Sequence, residues 1–206
     1  MAEITTAEPP RRVILDKYRT SACGNGVPFT ALTFDNDLEN TLIVYGTLDE
    51  SDANREAALM LQQALRRREH NIPAPVKADT EATEDELRTH HLVLLGHPGS
   101  NALAARFRKD IPVAFGPHSF SIRGVPYANP ETTVLVAAAN PLNPRFSLVL
   151  CAGLGTRATV DLVRKLEEDN LSYAPVVLLP AGQKEHNLVL CPEEFIRLVP
   201  PATTTK

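Results

Sequence analysis

Tryptophan is absent from this chain of 206 residues, aromatic residues make up 5% of it, and methionine occurs twice. Long hydrophobic runs are missing as well. The longest, Val134 to Ala139 and Leu148 to Ala152, are far shorter than the roughly 20 residues that cross a bilayer, so we expect no membrane span. An apolar share of 43% with 22% charged residues is typical of a globular protein and argues against a disordered or fibrous chain.

Cysteine is also scarce. The three cysteines are Cys23, Cys151 and Cys191, and none of them lies in a C-x-x-C pair. This spacing excludes a zinc framework of that kind, and we predict no metal and no cofactor. The odd number leaves one thiol unpaired in any disulfide scheme, so a bridge between Cys23 and Cys191 and three free thiols both remain open.

Basic patches and export signals are lacking too. The net charge is −4, and the compact basic run Arg66 to Arg68 lies inside a predicted helix, so nucleic acid is not a predicted partner. The first residues, MAEITTAEPPRR, lack the apolar centre of a signal peptide. Two alternatives follow: a cytoplasmic protein, or a piece excised from a longer, exported one.

The chain does contain short apolar runs that alternate with helical patterns, as is typical of an α/β protein. Strands are predicted at 13–20, 41–46, 75–79, 92–96, 113–124, 132–139, 145–152 and 176–180, and helices at 54–69, 100–109 and 156–169. Because the connection Asn140 to Pro144 is short, its flanking strands should be antiparallel neighbours. We predict a three-layer α/β fold with a flavodoxin/Rossmann-like mixed sheet, mostly parallel with an antiparallel meander.

The predicted organisation is a single α/β domain over residues 13–199, between polar tails at 1–12 and 200–206. Its predicted parts are a first strand region at 13–40, a core at 41–180 and a C-terminal edge segment at 187–199. The sequence Thr83-Glu-Asp-Glu86 fits a capping box, which predicts a short helix that begins there.

Ligands of open α/β sheets bind beyond the carboxyl ends of the parallel strands, where helix N-termini offer unpaired N–H groups. The candidate ligand-binding residues at this edge are Gly96, His97, Gly99, Ser100, Asn101, Gly153, Gly155 and Thr156. The turn at 96–101 matches neither G-x-x-x-x-G-K-[ST] nor G-x-G-x-x-G, which argues against a nucleotide. A small anion at the turn and a plain N-cap by Ser100 are the two interpretations left. An up-down-up meander would bring Arg123 and Tyr127 to the same edge.

Cys151 is the candidate nucleophile, because it ends a predicted strand and precedes Ala-Gly and a helix, as in a small cysteine hydrolase or a DJ-1-like protein. His97, predicted on the same edge, would be its base, and Asp49 would orient His97. The alternative is that Cys151 is a small buried residue of an apolar strand. Neither H-E-x-x-H nor G-x-S-x-G occurs, so zinc peptidase or serine hydrolase chemistry of those types is not predicted.

Several stretches occur in an order that resembles a known kind of domain: Asn40 to Thr47, Asn54-Arg55, Thr83 to Thr89, Gly96 to Asn101 and Ala138 to Pro144. They resemble the accessory α/β domain that follows the catalytic domain in some bacterial exported peptidases, of the M1-like metallopeptidase and prolyl-oligopeptidase kinds.

That resemblance implies a non-catalytic accessory or interaction domain of a bacterial secreted hydrolase. Its partner would be the catalytic domain of the longer protein, or another protein. The active-site residues of such peptidases have no counterpart in this chain, so the resemblance implies no catalytic residue.

Overall fold

A computed structural model describes residues 12–14, 29–68, 73–155, 157–168, 175–182, 188–190 and 196–198. The chain divides into two compact units, one formed by residues 1–27 with 191–206 and the other by residues 28–190. The extent of the single domain predicted from the sequence stays a prediction. Among the described helices, none is long and apolar enough to cross a membrane.

The elements are β1 (Arg12–Ile14), β2 (Thr41–Tyr45), α1 (Ser51–Arg68), β3 (Val76–Ala78), α2 (Glu84–Thr89), β4 (His91–Leu95), α3 (Ala102–Arg106), β5 (Ala114–Phe115), β6 (Phe120–Ile122), β7 (Val125–Tyr127), β8 (Thr133–Ala139), β9 (Ser147–Gly153), α4 (Ala158–Glu168), β10 (Val176–Leu179), β11 (Leu188–Leu190) and β12 (Ile196–Leu198). In the first unit, β1 pairs with β12 antiparallel. The other elements belong to the second unit.

The second unit is built on a seven-stranded sheet in the order β11-β10-β8-β9-β4-β2-β3. The strands β3, β2, β4 and β9 are parallel neighbours, and β8 is antiparallel to both β9 and β10. The sheet is therefore mixed and mostly parallel, as predicted. From the edge inwards these four strands lie in the order β3, β2, β4, β9, so the chain adds β3 on one side of β2 and then β4 and β9 on the other side. The direction of winding reverses between β2 and β4, and the carboxyl ends of these two strands form the topological switch point.

Both faces of this sheet are buried, which explains the continuous apolar runs in its strands. Alternate residues point to opposite faces because side chains of a strand have period two. On one face, Ile43, Val93, Val149 and Val177 pack with α1 and α4. On the other face, the neighbouring residues of the same strands pack with Leu87 of α2, with α3 and with a small second sheet. The three layers that the sequence predicts are therefore present.

The predicted meander is right in one part and wrong in another. β8 and β9 are antiparallel neighbours joined by residues 140–146, as the short connection predicts. The strand-like stretch at 113–124, however, does not join the main sheet. It contributes β5 and β6 to a separate antiparallel sheet, β5-β6-β7, whose Phe120 and Ile122 are buried against the main sheet. Arg123 lies in the tight turn between β6 and β7, and Tyr127 ends β7, so neither residue follows a strand of the main sheet as expected.

The β3 edge of the main sheet is closed to further strands over part of its length. The N–H of Ala78 donates to Glu81 Oε2 at 3.1 Å, and the N–H of Glu81 donates back to the carbonyl of Ala78 at 3.0 Å. Lys77 lies 2.6 Å from Glu86 and, together with the N–H and hydroxyl of Thr83, lowers the pKa of that carboxyl to about 2. Paired backbone groups and a lysine at an edge strand discourage edge-to-edge association.

Candidate functional site

The carboxyl edge of the parallel strands is organised by the buried carboxylate of Asp79, which follows β3. Asp79 is 6% exposed. Its oxygens accept from the Thr47 hydroxyl at 2.6 Å, from the Thr47 N–H at 3.2 Å and from the Ala102 N–H at 2.7 Å. This single side chain therefore ties the loop after β2 to the start of α3. It occupies the position at the α3 N-terminus where an external anion would bind.

The second half of the turn between β4 and α3 directs its backbone N–H groups to acceptors within the protein. Gly99 N–H donates to His97 Nδ1, and the Ser100 and Asn101 N–H groups both donate to the His97 carbonyl, each at 2.9 Å. The N–H groups of Leu103 and Ala104 donate to Asn101 Oδ1 at 2.9 and 3.0 Å. The structure thus brings the predicted residues 96–101 together. It leaves no free N–H between residues 99 and 104 for a small anion.

The cap of this helix is a correction to the sequence prediction. Asn101 is the N-cap, and α3 runs from Ala102 to Arg106, whereas the sequence predicted a helix at 100–109 capped by Ser100. The side chain of Asn101 is suited to this position because it forms two kinds of bond at once. Its oxygen caps the helix, and its amide nitrogen donates to the carbonyls of Leu95 and Val44 at 3.0 and 3.3 Å. Ser100 is fully buried, and its hydroxyl donates to the His97 carbonyl instead.

The switch point itself is filled by protein atoms. A Cβ on Gly46 would lie 2.3 Å from the Ser100 carbonyl oxygen, so the β4–α3 turn packs directly on the end of β2. Gly96 has a φ of +102°, and a Cβ there would lie 2.5 Å from Ser100 Oγ and 2.9 Å from the amide of Asn54. Both glycines are required by close packing between the ends of β2 and β4, the β4–α3 turn and Asn54.

The third predicted loop follows β9. A Cβ on Gly153 would lie 2.4 Å from Ala158 Cβ, and the Gly153 N–H donates to Thr159 Oγ1 at 3.1 Å, so α4 begins directly above the end of β9. A Cβ on Gly155 would approach the Pro130 carbonyl oxygen to 3.0 Å. Thr156 lies outside the described residues. The described glycines here serve close packing between α4, β9 and the segment before β8.

Cys151 lies on the α1 and α4 face of the sheet and is 1% exposed. Burial raises the pKa of its thiol to about 12, so the thiolate that a nucleophile needs is strongly disfavoured. The side chain lines a cavity of about 20 Å³ together with Ala31, Leu32, Phe34, Leu61, Ala64, Leu65, Leu135 and Leu166. This described lining contains no histidine and no carboxylate, and His97 and Asp49 belong to the loops that follow β4 and β2. Cys23 and Cys191 lie outside the described residues.

Sequence reasoning missed a buried cluster at the opposite, amino edge of the sheet. His91 Nδ1 lies 2.9 Å from both the backbone nitrogen and the hydroxyl oxygen of Ser147, and His91 Nε2 lies 3.5 Å from Asp37 Oδ2. The imidazole is flanked edge-on by Phe29 and Phe146. No local signal points to this cluster, because 56 residues separate His91 from Ser147 and only the pairing of β4 with β9 joins them.

The cluster has the connectivity of a serine, histidine and aspartate triad, but its environment does not suit catalysis. Ser147 is fully buried and His91 is 7% exposed, so no substrate reaches the hydroxyl. Because the Ser147 N–H donates to Nδ1, the imidazole is the neutral tautomer with its hydrogen on Nε2, towards Asp37. Burial lowers the pKa of His91, and the charge of Asp37 opposes that shift in part.

Within the described residues, no group of three or more histidine, cysteine, aspartate or glutamate side chains is arranged to hold a metal ion. The basic run predicted in α1 lies at the end of that helix, where Arg66 and Arg67 are exposed. No protein-family model matches the chain, and no curated protein matches it in sequence.

Proposed function

We propose that this chain is a non-catalytic interaction domain, accessory to a secreted bacterial hydrolase of the peptidase kind, and that its partner is the catalytic domain of that hydrolase. The observation that carries the non-catalytic part is that every backbone N–H from residue 99 to residue 104, at the carboxyl edge, already donates to an acceptor within the protein. Asp79, Asn101, Ser100 and Asn54 are buried there, and the hydrogen bonds that they form hold loops together.

The peptidase context is supported by the ordered resemblance of five stretches between Asn40 and Pro144 to accessory domains of exported peptidases. In those proteins the accessory domain follows a catalytic domain, so the catalytic domain is the natural partner.

A contact point for this partner is offered by Leu48, which is 60% exposed in the loop after β2. The Leu48 N–H donates to the Ser100 carbonyl at 3.0 Å, and the Thr47 hydroxyl is held by Asp79, so the loop presents the leucine from a fixed backbone. Because the backbone of this loop is already held, little backbone conformational entropy is lost when a partner covers the leucine.

The first test is the reading frame around the coding sequence. The proposal requires that it continue upstream into a peptidase catalytic domain, and a frame without one would remove the peptidase association.

The second test is the activity of the isolated chain against fluorogenic peptide and ester substrates. The expected result is no turnover. Turnover that disappears in a Cys151→Ala variant would overturn the non-catalytic assignment and restore the small cysteine hydrolase that the sequence left open.

The third test measures binding of the chain to the catalytic domain by titration calorimetry. Leu48→Glu should weaken binding by about tenfold or more, as for an interface anchor. Val125→Glu is the matched control, because Val125 is 52% exposed but lies on the small second sheet. Equal binding by both variants and the unmodified chain would show that Leu48 is not at the interface.

A further inference from the structure

The buried cluster at the amino edge has no role in the proposed interaction function. It joins three parts of the fold that are distant in sequence: Asp37 from the turns before β2, His91 from the first residue of β4, and Ser147 from the first residue of β9. The two ring nitrogens of His91 contact different residues, Nδ1 contacting Ser147 and Nε2 facing Asp37, so its protonation state affects all three parts.

His91 takes the place of a backbone acceptor at the start of β9. The Ser147 N–H points towards β4 and donates to Nδ1 at 2.9 Å. Only the unprotonated nitrogen accepts this bond. The Ser147 hydroxyl, also 2.9 Å from Nδ1, rotates and can act as donor or acceptor, whereas the backbone N–H only donates.

A second proton on the imidazole has to go to Nδ1, because Nε2 already carries one. The protonated nitrogen then faces the Ser147 N–H, donor against donor, and the bond between them is lost. A buried N–H without an acceptor is costly, and Ser147 is fully buried.

The surroundings offer the added charge little compensation. Asp37 is the one carboxylate within ion-pair distance of His91 among the described residues, and its side chain is 40% exposed. His90, the preceding residue, adds a repulsive charge when it is protonated. The Ser147 hydroxyl can turn to accept from the protonated Nδ1, but this leaves the Ser147 N–H without an acceptor. Phe29 and Phe146 are apolar rings with centroids 6.4 and 5.2 Å from that of the imidazole.

We propose that Asp37, His91 and Ser147 form a pH-sensitive latch, closed while His91 is neutral and opened when His91 is protonated. Opening releases the start of β9 and the Asp37 turn from their contacts with His91 at the start of β4. Because the pKa of the buried imidazole is lowered, the unfolded chain binds more protons than the folded one just below pH 6.5. The closed latch therefore contributes its full stability at pH values above the pKa that His91 has in the unfolded chain. This contribution is lost as the pH falls towards the lower pKa that His91 has in the folded protein.

The test follows the unmodified chain by NMR between about pH 7.5 and about pH 5, the range in which histidine titrates. The chemical shifts of the imidazole nitrogens should show the Nε2–H tautomer of His91 at about pH 7.5. They should also show that His91 titrates with a pKa below the ordinary value for histidine. Over the same range the exchange protection of the Ser147 amide should fall by about tenfold or more. That of Gly96, whose N–H donates to the Cys151 carbonyl at the opposite edge, should stay unchanged.

Variants separate the latch from general acid sensitivity. His91→Gln keeps an acceptor for the Ser147 N–H but does not titrate, so the loss of protection should disappear. His90→Gln, the neighbouring control, should leave it in place. Asp37→Asn should move the transition to lower pH, since the carboxylate favours the protonated imidazole. If Ser147 protection persists after His91 of the unmodified chain has titrated, or if His91 titrates at or above its ordinary value, the latch is refuted.

Discussion

At the scale of single residues, the fold of this protein requires a few side chains and glycines at positions that are closely packed. Gly96 combines a positive φ with close contacts to Ser100 and Asn54, and Asn54, which is fully buried, donates to the carbonyls of Gly46 and Asp49. Cys151 is enclosed by apolar side chains. The sequence singled out Gly96 and Cys151 as candidates for chemistry, and their surroundings explain both of them by packing.

Gly96→Ala should destabilise the fold much more than Gly124→Ala. Both residues have positive φ, at +102° and +79°, but a Cβ at Gly124 meets nothing within 4 Å. The backbone cost alone, about 1 to 2 kcal/mol, is expected for Gly124→Ala. Gly96→Ala should cost about 3 kcal/mol or more, because Ser100 and Asn54 have to move as well. Urea unfolding of the two variants measures the difference, and equal midpoints would mean that the β4–α3 turn yields freely.

The thiol of Cys151 should be almost inert in the folded protein. With its pKa raised to about 12 and its side chain buried, it should react with a disulfide reagent at neutral pH about a thousandfold more slowly than in the denatured chain. Cys23→Ser and Cys191→Ser replacements make Cys151 the sole reporter. Rapid labelling of the native protein would instead indicate an accessible, activated thiol.

At the scale of elements, side chains from one element complete the hydrogen bonding of another. Asp79 of the β3 loop completes the start of α3, and Thr159 of α4 accepts from the last residue of β9. The capping box of α2 is local by contrast, with Thr83 and Glu86 bonded reciprocally. The sequence correctly predicted the local capping box, but it did not predict the hydrogen bonds between elements that are distant in sequence.

Asn101→Ala should therefore cost more than Thr83→Ala, although both remove an N-cap side chain. Thr83 is exposed, so its loss should cost about 1 kcal/mol, the usual value for a cap. Asn101 is fully buried, and its removal leaves the Leu103 and Ala104 N–H groups without their acceptor and takes one of two donors from the Leu95 carbonyl, so about 2 to 4 kcal/mol is expected. Chemical denaturation at neutral pH provides the comparison. A smaller loss for Asn101→Ala would show that water replaces its bonds.

At the scale of the whole molecule, the α/β unit has the layers and strand order of a ligand-binding fold but a carboxyl edge that is closed by its own groups. Layer architecture does not specify function, which depends on the chemistry of the site. The amino edge, by comparison, contains the buried imidazole of His91.

Phosphate and sulfate should accordingly leave the melting temperature unchanged at millimolar concentration, relative to chloride at the same ionic strength. A ligand that binds only the folded state raises the melting temperature, so a saturable increase would show that the turn at 96–101 opens to admit an anion. Its loss in Gly99→Ala would locate the binding there.

The amino-acid sequence by itself determined the class and much of the order of this fold. Short apolar runs identify β2, β4 and β9, and helical spacing identifies α1 and α4, because both patterns are local and reflect which faces of an element are buried. The short connection after Asn140 likewise determined the β8–β9 pair.

Only the tertiary structure decided which polar groups meet. Asn101 reaches Val44 across 57 positions of sequence, His91 reaches Ser147 across 56, and the stretch at 113–124 leaves the main sheet for a sheet of its own. The physical reason is that a buried polar group has to find a partner wherever the packed layers bring one. That partner depends on strand order and register, which local patterns do not specify.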